Sequence, residues 1–289
     1  LPFGGRLLVS KEQGVSYWDA VALEAEKERV PVIKWRRVAR NWLAHYVENK
    51  ARDFILSTVE SHVKLGKNAQ ILDVGCGIGK WVKIFAEKGF AVTGIDASSW
   101  MIRAAKNRVG KSFGDKVRLI VMDASKLDLP NNFYDLVNCV TVLQHVFDDA
   151  KWKKAISEMV RVVKPSGFVL IYEAAPTFIL KKCTAHVYFR SMKEYVREFE
   201  KFGARLAYWR ATDLSFPVTF IGLRTYASSF SKKVYYYLSD KPFSVSPHLL
   251  SLFSKVAATF AKPVDYKFSE TPLGLFSTGK ILLFKKYKQ

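Results

Sequence analysis

Three glycines fall within five residues, at Gly75, Gly77 and Gly79, inside the run Ile71-Leu-Asp-Val-Gly-Cys-Gly-Ile-Gly-Lys-Trp81. Glycine reaches positive φ and has no Cβ, so such a loop turns sharply and lets a ligand lie against the backbone, facing the free N–H groups of the next helix. The spacing is tighter than the Gly-x-Gly-x-x-Gly that makes room for a pyrophosphate. Asp73 stands just before the loop. A carboxylate there repels a pyrophosphate and attracts a sulfonium or an ammonium group. Two further acids, Asp96 and Asp123, each close an apolar run, and His145 follows a fourth run. A carboxylate at such a place can accept two ribose hydroxyls, and a histidine can move a proton.

The elements that must position these groups follow from periodicity. Residues 69–74 are a short apolar run leading into the glycines, and Trp81, Ile84 and Phe85 then fall at helical spacing. This is strand, tight loop, helix. Further strands are expected at 91–95, 117–121, 136–142 and 168–172, the last ending at Glu173. Helices are expected from near Ser99, from Lys151 to Val163 behind Asp148 and Asp149, and from Arg190 to Phe202 with a Ser191-x-x-Glu194 capping box. Asp96 is alternatively an N-cap, although Ser98 and Ser99 already supply capping oxygens. Lys164-Pro165-Ser166-Gly167 reads as a turn, and 204–212 and 279–287 as a sixth and a seventh strand.

Strand, Asp73-x-Gly75-x-Gly77-x-Gly79 and helix together resemble motif I of the class I S-adenosylmethionine-dependent methyltransferases. The resemblance extends over residues 69–213, and more loosely to the helices before them and the last strand. It implies an α/β fold, a doubly wound, seven-stranded, mostly parallel Rossmann-like sheet whose last strand is antiparallel and lies beside the fifth. The implied division is an N-terminal helical segment over the cofactor site (1–67), the cofactor-binding core (68–213), a helical substrate cap inserted before the last strand (214–278) and that strand (279–289). The implied cofactor is S-adenosylmethionine, with S-adenosylhomocysteine as product. The residues expected to hold it are Asp73, Gly75, Cys76, Gly77, Gly79, Asp96, Ala97, Met101, Asp123, Ala124, Thr141 and Gln144. Within that set Asp123 receives the adenine amino group, and Thr141 and Gln144 lie near the methyl group. A hydroxyl acceptor needs a base, and the candidates are His145, Glu173 and His186 in that order, with His145 equally readable as a residue satisfying a loop carbonyl. Tyr17, Trp18, Tyr235 and Tyr236 are candidates for lining the substrate space, against the ordinary reading of aromatic stripes as core contacts. No spacing of metal ligands is visible.

Composition sets the outer bounds. At 289 residues, 49% hydrophobic and 25% charged, the chain has globular composition and length for a large domain with an appendage. Cys76, Cys139 and Cys183 show no paired spacing, so neither a disulfide framework nor a zinc site is indicated, and a reducing, cytoplasmic setting is expected. The longest apolar stretch, 168–180, is interrupted by Glu173 and Pro176 and is shorter than the ~20 residues of a spanning helix. The formal net charge is +20, and residues 176–289 hold 19 Lys and Arg against 7 Asp and Glu, a net of +12, with 23 of the 41 aromatics. Such a third suits nucleic acid, an anionic membrane surface, an acidic substrate, or a generally basic proteome.

The acceptor is expected to be small or medium-sized, a sugar or glycan, a quinone-like lipid or another metabolite, methylated at oxygen. RNA is the main alternative, although no Asn/Asp-Pro-Pro-Tyr/Phe motif and no paired catalytic cysteines for pyrimidine chemistry appear. A non-catalytic cofactor-binding protein is the alternative of another class, and peripheral membrane contact stays open.

Overall fold

The computed structural model describes residues 42–110, 112–177, 187–212, 277 and 279–287. Tyr17, Trp18, His186, Tyr235, Tyr236 and all of the expected cap except Ser277 lie outside the described residues.

Helix α1 (Trp42–Thr58) continues through a wide five-residue turn, Val59–Val63, to Lys64. The helix runs through Ala51 unbroken because no Pro or Gly between Trp42 and Thr58 interrupts helical hydrogen bonding. Then follow β1 (Gln70–Val74), α2 (Lys80–Glu87), β2 (Ala91–Asp96), α3 (Ser99–Val109), β3 (Val117–Val121), β4 (Tyr134–Val140), α4 (Asp149–Val162), β5 (Val163–Ala174), α5 (Met192–Lys201), β6 (Ala204–Ala211) and β7 (Gly279–Lys286).

The seven strands form one sheet in the order β3-β2-β1-β4-β5-β7-β6. Pairs from β3 to β5 are parallel, and β7 lies antiparallel to both β5 and β6. This is the expected seven-stranded arrangement with its inserted last strand. Successive strand residues point to opposite faces, and both faces are covered, so the strands read as near-continuous apolar runs. Leu72, Val137 and Val169 pack with Trp152, Ile156 and Met159 of α4 and Tyr195 and Phe199 of α5. Ile71, Leu136 and Leu170 pack on the other face with Phe54 and Ile55 of α1, Phe85 of α2 and Ile102 of α3.

Strand order reverses at β1, whose neighbours are β2 and β4. In an open α/β sheet such a point leaves a crevice beyond the carboxyl ends of the strands. Two local expectations change. β4 ends at Val140, and the chain turns away at Thr141 with φ 56°. Lys164 to Gly167 do not separate helix from strand: β5 begins at Val163, Tyr134 pairs with Val163 and Leu136 with Phe168, and the intervening residues bulge, with Ser166 at φ 65°. Pro165 cannot donate to a ladder, which is why the pairing skips it. No helix among the described residues is long and apolar enough to cross a membrane.

Candidate active site

The glycine loop is held from both sides. The Cys76 N–H donates to the Ile95 carbonyl at 2.8 Å, and the Gly79 N–H to the Cys76 carbonyl at 2.9 Å. Gly79, at φ 77°, caps α2. Asp96 closes the loop from β2: its Oδ2 accepts from Gly77 N–H and its Oδ1 from Ser98 N–H, both at 2.9 Å. Ser98 is the N-cap of α3, so Asp96 is not that cap.

The glycines do different things. At Gly75 (φ 65°) a Cβ would stand 2.3 Å from Val142 Cγ2 and 2.9 Å from Cγ1, so the turn after β4 rests directly on the loop. At Gly77 (φ 52°) a Cβ would meet nothing within 4 Å. Gly77 therefore presents bare backbone to open space at the carboxyl edge.

Asp73 lies on β1 opposite Asn138 on β4. Both side chains are buried, and Asn138 Nδ2 donates to Asp73 Oδ1 at 2.7 Å. Asp73 Oδ2 and Asn138 Oδ1 are buried acceptors with no donor. Such groups are rare in folded proteins and costly. Burial, and behind it the Asp96 charge, push the Asp73 carboxyl up to about 7 against the pull of the Asn138 hydrogen bond and, more weakly, of the Val82 backbone N–H at the start of α2. Bare glycine backbone in the loop after a strand whose carboxylate has one oxygen without a donor fits a ligand with a cationic amino group. Asn138 was not singled out from sequence; the available signal was an amide inside an otherwise apolar strand.

Asp123, exposed after β3, turns its Oδ1 onto Ser125, accepting from N–H at 2.7 Å and from Oγ at 2.8 Å. Ala97 is exposed and Ala124 half-buried at the same edge. Met101 is buried, its N–H bonded to Ser98 Oγ, and Cys76 is buried with a thiol pushed up by burial. Both side chains pack inward.

The turn after β4 carries Thr141, Gln144 and His145. Gln144 Oε1 accepts from the Ala174 N–H at 3.0 Å, which aims its Nε2 at His145 Nε2, 3.4 Å away. Glu173, a candidate base, is fully buried: Oε1 accepts from Val142 and Leu143 N–H, both at 2.9 Å, and Oε2 from Gln144 N–H at 3.1 Å. Burial pushes it up to about 7 while those three N–H groups pull it back. Both of its oxygens are engaged by backbone N–H groups of the turn. Arg190, also not foreseen, lies buried between the rings of Trp152 (4.4 Å) and Tyr188 (4.5 Å).

An open α/β sheet of this strand order, with a glycine loop at its reversal and acids ending β2 and standing inside β1, defines a Rossmann-like methyltransferase fold. More narrowly, residues 71–167 match the methyltransferase domain family, and the chain contains a class I S-adenosylmethionine-dependent methyltransferase domain. It is 30% identical over 146 residues to the ubiquinone biosynthesis O-methyltransferase of Rickettsia canadensis, covering 48% of this chain and 60% of that protein. It is 37% identical over 124 residues to the tRNA (carboxymethyluridine(34)-5-O)-methyltransferase of Arabidopsis thaliana, covering 42% of this chain and 28% of that protein. The match thus spans less than two thirds of either relative. A solved S-adenosylmethionine-dependent methyltransferase from Methanosarcina mazei shares the fold at 18% identity and a TM-score of 0.50, over 78% of this chain and 95% of that one.

Proposed function

We infer that this protein is an S-adenosylmethionine-dependent methyltransferase acting on an oxygen of a small or medium-sized, quinone-like acceptor. The observation that carries the reading is the open backbone at Gly77 beside Asp73, a buried carboxylate with one oxygen lacking a donor. The bound cofactor supplies a methyl group on a sulfonium. The chain's own residues then have to bind, orient and exclude water. Asp73 suits the cofactor's amino group, Asp96 its ribose hydroxyls, and Asp123 with Ala124 the adenine edge. His145 Nε2 can take the proton from an acceptor hydroxyl, in place of its contact with Gln144. Support for oxygen and for a quinone-like acceptor comes from the name of the Rickettsia relative.

A second reading, tRNA as acceptor, has the Arabidopsis relative and one surface in its favour. Arg103, Lys106 and Arg108 of α3, with Lys116, Arg118 and Lys126, are exposed around the free edge of the sheet at β3. Titration calorimetry with S-adenosylmethionine, followed by methyl transfer to lipid, glycan and tRNA fractions, separates the readings. Product in the lipid fraction with little salt dependence is the expected result. Methylated tRNA with steep salt dependence would replace the acceptor. Tight binding without product in any fraction would make the chain a cofactor-binding module.

A further inference from the structure

Two buried and opposite charges hold the turn after β4. From the side of β5, Glu173 accepts the N–H groups of Val142, Leu143 and Gln144 in succession. From the side of α5, Arg190 Nη1 donates to the carbonyls of Leu143 (3.4 Å) and Val146 (3.0 Å), and its Nη2 to Asp149 Oδ1 at 2.7 Å. The other backbone groups are also engaged: Thr141 N–H with the Tyr172 carbonyl, His145 N–H with Val142, Val146 N–H with Leu143, and Tyr188 N–H with the Gln144 carbonyl. Every N–H from Thr141 to Val146 thus has a partner. The negative group sits where the short turn Leu143–His145 exposes N–H groups and the positive one where it exposes carbonyls, the order that complements its dipole.

This turn touches both halves of the site. Val142 packs on Gly75 so closely that no Cβ could intervene. Three residues on, His145 stands at the edge beside Gln144. Thr141, a β-branched residue at positive φ, is held in an uncommon conformation that persists only where its surroundings over-determine it.

We propose that Glu173 and Arg190 are positioning residues: together they fix the 141–146 turn against the glycine loop, so that one device sets both the wall at Gly75 and the placement of His145. Neither side chain meets the acceptor; both act through backbone. The proposal rests on the methyl-transfer reading for its kinetic arm alone.

The test compares wild type with Glu173→Gln, which keeps the size but replaces one acceptor by a donor facing a backbone N–H. Amide exchange at 142, 143 and 144 is expected to speed up by about 10- to 100-fold, with a shifted Gly75 amide resonance. On whichever acceptor the wild type methylates, kcat is expected to fall about 10- to 100-fold from misplacement. The low-pH limb of its pH profile stays, because that limb belongs to another group. Asp149→Asn removes the negative partner of buried Arg190 while keeping an acceptor oxygen in its place, and should speed exchange at His145 and Val146 even if the first variant fails to fold. Unchanged exchange at 142–144 in Glu173→Gln, or at 145–146 in Asp149→Asn, overturns the proposal. So does loss of the low-pH limb with exchange untouched, which would make Glu173 the base. The exchange arm needs no turnover, so a chain that methylates nothing still decides it.

Discussion

Gly75→Ala and Gly77→Ala should separate folding from ligand binding, although the two residues are only two apart in one loop. Both sit at positive φ, 65° and 52°, where an L-residue costs about 1–2 kcal/mol. At Gly77 that is the whole expected loss, because the new methyl meets no protein atom within 4 Å. A loss of that size lowers Tm by about 2–8 °C in a chain of this length. At Gly75 the methyl lands 2.3 Å from Val142 Cγ2, and Val142 belongs to a turn tied at every N–H, so it cannot yield cheaply. Overpacking adds about 1–3 kcal/mol to the conformational cost. Ligand binding should show a different pattern. If the cofactor lies on the bare backbone, Gly77→Ala folds almost as well as wild type yet loses affinity by tenfold or more, about 1.4 kcal/mol. Thermal unfolding without ligand, followed by calorimetric titration with S-adenosylmethionine, measures both quantities on the same samples. Wild-type affinity in Gly77→Ala would refute the reasoning, as would equal destabilisation by the two variants.

Asp73 predicts a pH effect with a definite sign. Its folded value of about 7 lies above the ordinary 3.8, so its contribution to stability is complete below about pH 4 and is lost as pH rises through 7. Asp73→Asn imitates the protonated form and offers a donor to Asn138 Oδ1, so it should be more stable than wild type at pH 8, equal near pH 4, and weaker in binding a cationic ligand; denaturant unfolding at both pH values checks this, and an unchanged pH slope counts against it. Glu158 predicts the opposite slope. Burial pushes it up, but hydrogen bonds from Arg161, Lys154 and the Leu127 N–H hold it at about 2, so its contribution is present above 4.5 and lost as pH falls toward 2. Glu158→Gln should cost about 2 kcal/mol at pH 7 and little near pH 2, with cofactor affinity unmoved, as read by acid titration of stability and by calorimetry.

Local patterns carried much of the architecture. Apolar runs ending in Asp96 and near Asp123, the capping box at Ser191 and Glu194, and the cap at Asp148 are all decided within a few residues, and the structure shows each in place. The bulge at Lys164 to Gly167 was not legible, because Lys-Pro-Ser-Gly has turn chemistry and only the pairing of Val163 with Tyr134 makes it part of a strand. Arg190 was hidden for a similar reason. Its partners Leu143, Val146 and Asp149 are more than 40 positions away, and in the sequence it is simply a basic residue before a helix. Glu173 ends a strand at the ligand edge, where a carboxylate looks chemical in the sequence; only the fold shows three N–H groups converging on it.

The remaining question is why a chain of net charge +20 gathers acids at this one edge. Asp73 and Asp96 lie on neighbouring strands, and the charge of Asp96 raises the carboxyl of Asp73. Repulsion of this kind is unfavourable in the ligand-free protein, and a bound cation relieves it. A unit charge 6 Å away is worth about 1–3 kcal/mol at effective dielectric constants of 20–60, favourable for an ammonium or sulfonium and unfavourable for a pyrophosphate of the same placement. The Gly-x-Gly-x-Gly spacing and the acids therefore select in one direction: the short loop brings backbone close, and the field decides the sign of the ligand that can approach. The basic residues around β3 lie on the surface, where charges are screened within about 10 Å, whereas the buried Asp73 is screened much less. On the reading proposed above, cofactor choice rests on the buried carboxylate of β1 and the half-buried one ending β2, and acceptor choice on a different part of the molecule, the turn that carries His145.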